Sequence, residues 1–164
     1  MTRFFVIMFG LLLAHNTIIG QAKVSEIEGS EKVYFIGEDE KKYEKLVEKY
    51  KVMLFSVCNN DIDEAFDHWS TLMKDFEVFA EKNNVDVKGV KLWMNVFWAK
   101  TGTIDYIVFY PKPNSKNMNY ESLKVLMTKF ANQYQLPIKH TTGFSHYGSA
   151  VFPIMSRAVI GPEK

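Results

Sequence analysis

Cys58 is the residue whose type and position most invite chemistry. It follows the apolar run Val52 to Val57 and stands just before a helix start, in Cys58-Asn59-Asn60-Asp61. A thiol at a helix N-terminus can be held as thiolate and act as a nucleophile, as in thioredoxin-type redox domains. The chain has no second cysteine to complete a redox pair or a disulfide, and Asp61 and Asp63 place negative charge where a thiolate would form. The expectation is therefore a buried, inert thiol. The four histidines, His15, His68, His140 and His146, show no metal-ligand spacing, and no metal or cofactor is expected. Asn59, Asp61, Asp63 and Asp67 suggest a calcium loop. However, that loop needs glycine at its sixth position and glutamate at its twelfth, where this chain has Glu64 and Ser70. The acids read better as favourable charge at a helix N-terminus. No nucleophile elbow, phosphate-binding loop or dinucleotide fingerprint is present, so the chain reads as a non-enzyme.

A strand–turn–strand segment must position the remaining candidates. Val90 to Ala99 and Thr103 to Tyr110 alternate in polarity around Lys100-Thr101-Gly102. A two-residue turn would force Thr101 to positive φ, which a β-branched residue resists. A three-residue loop with Gly102 left-handed is expected instead. Strict alternation then gives one greasy face, Val90, Leu92, Met94, Val96, Trp98, Ile104, Tyr106, Val108 and Tyr110. The other face carries Trp93, Asn95, Phe97, Ile107 and Phe109, flanked by Lys91 and Asp105. Large aromatics among polar groups make these five residues the candidate partner-binding surface. If the N-terminal part folds over this face, the same residues are core.

The surrounding elements read from periodicity. Lys32 to Ile36 is a short strand, and Glu38 to Lys51 is an amphipathic helix with Tyr43, Leu46, Val47 and Tyr50 on one side. Val52 to Val57 is a buried strand or a helical continuation. Asp61 to Lys82 is the clearest helix, opened by Asp61 and Glu64 at capping-box spacing. Tyr120 to Tyr134 is a third helix that Pro137 keeps from extending. Leu136 to Gly148 reads as loop, and Ser149 to Ile154 as the last strand. The order is βαβα, then ββαβ. The expected fold is a small α+β domain, a three-stranded antiparallel sheet with helices on one face.

The chain has 164 residues, of which 47% are apolar and 15% aromatic, enough for one domain with a real core. A net charge of +1, without long runs of one sign, argues against sequence-independent nucleic-acid binding. Arg3 precedes the apolar run Phe4 to Ala14, and small residues close on Gly20-Gln21-Ala22. That is the pattern of a secretory signal peptide over residues 1–22, and it implies a secreted or periplasmic protein with no membrane span after its removal. The domain is expected over residues 23–157, divided at 88/89, with a flexible tail from Ala158 to Lys164.

Residues 89–154 resemble the C-terminal domain of TonB-type proteins. The resemblance lies in Gly89-Val90-Lys91-Leu92-Trp93-Met94-Asn95-Val96-Phe97-Trp98 and Lys100-Thr101-Gly102-Thr103-Ile104. The following helix and last strand stand in the expected order, and Leu136-Pro137 is similar to the family's proline after the helix. The resemblance implies a non-catalytic domain that binds protein or peptide partners in the bacterial envelope through an exposed sheet edge. The family's long proline-rich spacer is missing, so partner binding is implied rather than energy transduction. Two other readings stand beside it. One is an envelope thiol or redox enzyme using Cys58. The other is a small-ligand carrier of cystatin- or NTF2-like type, with a pocket between the long helix and the sheet.

Overall fold

The computed structural model describes residues 31–154; the signal-peptide pattern at 1–22 and the tail at 158–164 lie outside them. The elements run β1 (Val33–Phe35), α1 (Glu40–Lys49), β2 (Val52–Met53), α2 (Leu54–Val57), α3 (Ile62–Lys82), β3 (Lys91–Trp98), β4 (Ile104–Pro111), α4 (Tyr120–Gln133) and β5 (Phe144–Val151). The α+β class holds. The sheet is larger than the hairpin alone implies: five strands in the order β1-β4-β3-β5-β2. The central three are antiparallel, and the short β1 and β2 add to the two edges in parallel. The N-terminal elements thus share the sheet of the second half.

Local chemistry sets the helix starts. The Asp39 carboxylate accepts from the Lys42 amide, Asp61 from the Asp63 and Glu64 amides, and Asn119 from the Ser122 amide. Each cap satisfies N–H groups that the first turn leaves without a partner. The α3 stripe Ala65, Trp69, Leu72, Met73, Phe76 and Ala80 is buried, as is the α4 stripe Leu123, Leu126, Met127, Phe130 and Ala131. Both stripes join one core with Leu92, Met94, Val96 and Trp98 of β3.

The hairpin loop forms as its chemistry requires. Gly102 has φ +88°, the Gly102 amide donates to the Ala99 carbonyl, and the Ala99 amide donates to the Thr103 carbonyl. Alternation along β4, in contrast, breaks one residue into the strand. Trp98 pairs with Ile104, but Phe97 pairs with Tyr106, which leaves Asp105 as the extra residue of a β-bulge. Beyond it every side chain changes face. Ile107 and Phe109 stand opposite Val96 and Met94 on the α3/α4 side. Tyr106, Val108 and Tyr110 stand opposite Phe97, Asn95 and Trp93 on the other side. Both face assignments made by strict alternation are corrected in this way. The exchange sets Ile107 and Phe109, in place of the phenols Tyr106 and Tyr110, against the core, and it is anchored at Asp105. Its carboxylate accepts a 2.6 Å hydrogen bond from the Tyr50 hydroxyl at the end of α1.

α1 occupies the second face of the sheet, which corrects the expectation of helices on one face only. The Tyr43 and Tyr50 rings lie 6.5 and 5.3 Å from the Phe97 ring. Lys42 sets its ammonium 4.2 Å from the centre of the Tyr34 ring.

The last strand also differs. It spans Phe144–Val151 rather than Ser149 to Ile154, and it pairs with β3 over its whole length, from Lys91↔Val151 to Trp98↔Phe144. Its polar sequence, with Gly148 in its middle, hides it. Gly148 is required there because a Cβ would come within 2.7 Å of the Trp69 indole, which lies across the strand. Val52 to Val57 divides into two residues of strand and one turn of helix.

Tyr50→Phe removes the donor that satisfies Asp105 and should lower stability by about 1–3 kcal/mol, the cost of a half-buried carboxylate losing its partner. Urea denaturation of the two proteins measures it. Equal midpoints would mean that the bulge does not depend on this bond.

Candidate functional site

α1 covers only one end of the second face. At the covered end Phe97 is fully buried beneath Tyr43 and Tyr50. Towards the other end the strands emerge. Trp93 is 37% exposed, Tyr110 53%, Tyr147 50% and Val151 43%. Strand pairing makes these residues neighbours: Trp93 faces Tyr110 on β4 and Ser149 on β5, and Asn95 faces Tyr147. The Trp93 and Tyr147 rings are nearly parallel, at 13° with centroids 6.0 Å apart. The Lys112 ammonium lies 3.9 Å from the Trp93 ring centre and donates to the Ser149 hydroxyl at 2.9 Å. A cation over an indole face is held by the ring quadrupole.

Between α1 and this aromatic pair runs a groove of about 310 Å³, bordered by Tyr43, Val47, Tyr50, Met53, Asn95 and Tyr147. Asn95 is 7% exposed. Its amide nitrogen donates to the Tyr43 hydroxyl at 3.4 Å, while its carbonyl oxygen is buried without a hydrogen-bond partner. A buried amide oxygen left unsatisfied is costly and stands ready for an incoming donor.

The five residues singled out from sequence are therefore dispersed. Trp93 is on the open surface, Asn95 is at the floor of the groove, and Phe97 is core under α1. Ile107 and Phe109 are core on the opposite face, 2% and 0% exposed. Their places are taken by Tyr110, Lys112, Tyr147 and Val151. Tyr147 falls in a segment that reads as loop, Val151 in a strand that sequence alone starts too late, and alternation carried across the bulge sends Tyr110 to the wrong face. The polar–aromatic alternation of β3, which marked Trp93 and Asn95, was the only signal pointing to this surface.

Cys58 caps α2 at its C-terminus and is 1% exposed. Burial pushes its thiol above the usual range, and the Glu64 and Asp61 carboxylates push in the same direction. These are the opposite of the conditions that activate a thiol. Asp61 serves as the α3 cap rather than as part of a cation loop. His140 is held in its loop by the Thr142 amide, whereas His146 lies on β5 with its ring 4.7 Å from Trp69. His68 approaches Glu64 at 3.8 Å, and the Cys58 sulfur is close to both. One cavity between α3, α4 and the sheet, among Leu72, Phe76, Met94, Val96 and Met127, holds about 10 Å³. That is far below the ~300 Å³ of a small-molecule pocket. No helix of the described residues is long and apolar enough to cross a membrane.

Comparison with known proteins finds no matching family model, no matching curated protein and no matching solved structure.

His146 supplies a pH test of the packing under Trp69. Burial holds its imidazole below the ordinary value near 6.5, so the folded state resists protonation. The unfolded chain then binds the proton first. The stability is fully present above the unfolded value and is lost as pH falls through the folded one. Urea midpoints should decline from pH 7 towards pH 5, with a shallower decline in His146→Gln; identical slopes would refute the assignment.

Proposed function

We propose that this chain is an exported, non-catalytic α+β domain that binds a protein or peptide partner in the cell envelope or outside it, through the open end of its second sheet face. The observation that carries the reading is the exposed Trp93–Tyr147 pair, with Tyr110 and Lys112 beside it, on paired strands. Tryptophan and tyrosine present large contact area with few torsions to freeze, and they dominate the energetics of many interfaces. The groove beside them, with the unpaired Asn95 oxygen at its floor, offers a backbone or side-chain N–H a place to bond.

Docking on this surface is favoured over strand addition at an edge. The edge strands are Val33–Phe35 and Val52–Met53, three and two residues long, and short edges make poor templates. The ββαβ order of the second half, in common with TonB-type C-terminal domains, supports a binding role. The leader pattern at residues 1–22 supports a secreted or periplasmic location. The buried, charge-disfavoured thiol of Cys58 weighs against a redox enzyme, and the tight interface between helices and sheet weighs against a ligand carrier.

The test uses peptides selected against the protein from a random display library, with binding read by calorimetry. Trp93→Ala and Tyr147→Ala should each weaken the selected peptides about tenfold or more. Their unfolding free energies should stay within about 1 kcal/mol of the parent, as for exposed sites. Phe97→Ala, by contrast, should cost about 3–5 kcal/mol of stability. Peptides that bind the Trp93 and Tyr147 variants as tightly as the parent would place the binding surface elsewhere.

A further inference from the structure

The α2–α3 junction brings together three side chains of different ligand chemistry. α2 ends at Cys58, and Asn59 and Asn60 follow at φ 55° and 62°. This left-handed pair turns the chain sharply, so that Asp61 can cap α3 immediately. Asparagine is among the few residues other than glycine that adopt this conformation readily. The turn folds Cys58 back against the start of α3. Glu64 and His68 are four residues apart, on one face of that helix, with Oε1 and Nε2 separated by 3.8 Å. One ligand atom from each of Cys58, Glu64 and His68 lies within 4.8 Å of the other two.

We propose that Cys58, Glu64 and His68 form a zinc site with three protein ligands and a fourth position open to water. A tetrahedral zinc ion spaces its ligand atoms about 3.3–3.8 Å apart. The observed triangle needs to contract by about 1 Å at most. The side chains that must move are the two on the helix, with 49% and 23% of their surface exposed for Glu64 and His68. Cys58 is buried at the turn, 1% exposed. Sulfur, imidazole nitrogen and carboxylate oxygen together suit zinc and exclude calcium and magnesium, which take oxygen ligands. On binding, the thiol proton passes to solvent and the sulfur–zinc bond replaces it. The thiolate and the carboxylate then neutralise the ion. The positive end of α3 opposes a cation, but the cap Asp61 and Asp63 in the first turn supply compensating charge.

Cobalt(II) substitution in the untagged, folded protein tests the site, because only a thiolate ligand gives the near-ultraviolet sulfur-to-cobalt charge-transfer band. One equivalent of cobalt should produce that band, and one equivalent of zinc should abolish it and raise the melting temperature. Cys58→Ser should eliminate the band. Glu64→Ala and His68→Ala, at more exposed positions, should weaken zinc binding about tenfold or more while circular dichroism remains that of the parent. These two variants decide the matter if Cys58→Ser fails to fold. Absence of the band in the folded protein, or zinc affinity unchanged in both helix variants, overturns the proposal.

Discussion

One charged residue inside an otherwise apolar strand organises this domain. Asp105 lies on the α1 side of the sheet, where a partly buried carboxylate needs a donor to replace the water it loses. The β-bulge leaves it out of the ladder, and the Tyr50 hydroxyl satisfies it at 2.6 Å. The same bond ties the end of α1 to the sheet. Burial, together with the hydrogen bond and charge of Asp105, pushes the Tyr50 phenol well above its usual range, so it remains a donor at any ordinary pH. The consequence travels along the strand. Ile107 and Phe109 pass to the core side, and three residues with large side chains, Tyr106, Val108 and Tyr110, pass to the other.

That exchange explains why the second face divides into a covered and an open part. α1 is ten residues long, and its buried positions, Leu46 with the cap Tyr50, suffice to shield Phe97, Tyr106 and the β1 residue Tyr34. It does not reach Trp93, Tyr110 or Tyr147. These rings sit on the sheet's central strands, each paired on at least one side, so their backbones are held while their faces meet solvent. Rigid aromatic surface next to a groove that contains an unsatisfied amide is the physical basis of the proposed binding role. The Cys58–Glu64–His68 cluster is built on other elements, α3 and the turn before it, and stands or falls independently of that surface.

Much of this was legible in the chain itself. The α3 stripe and its Asp61 cap, the α1 and α4 helices, and the left-handed Gly102 all follow from spacing and turn chemistry. Two features did not. The bulge at Asp105 is invisible to alternation, because Ile104 to Tyr110 is apolar enough at both parities to accept either register. Phe144 to Gly148, the first part of β5, reads as loop because its inward positions include His146 and Gly148, and these suit the Trp69 indole rather than a general hydrophobic pattern. Both omissions are tertiary demands imposed by a side chain from a distant element. They account for the dispersal of the candidate surface, since Ile107 and Phe109 were placed by parity, and Tyr147 had no strand to stand on. Cys58, Glu64 and His68 were each visible, but only the two-asparagine turn brings the first to the other two.

The register of the hairpin decides the partition of the two sheet faces most directly, and cross-strand nuclear Overhauser effects between backbone protons of β3 and β4 measure it. Contacts pairing Val96 with Ile107 and Met94 with Phe109 are expected, with Trp98 still paired to Ile104. Contacts pairing Val96 with Tyr106 and Met94 with Val108 would show an unbroken ladder. They would return Ile107 and Phe109 to the Trp93 side and contradict the partition on which the binding surface rests.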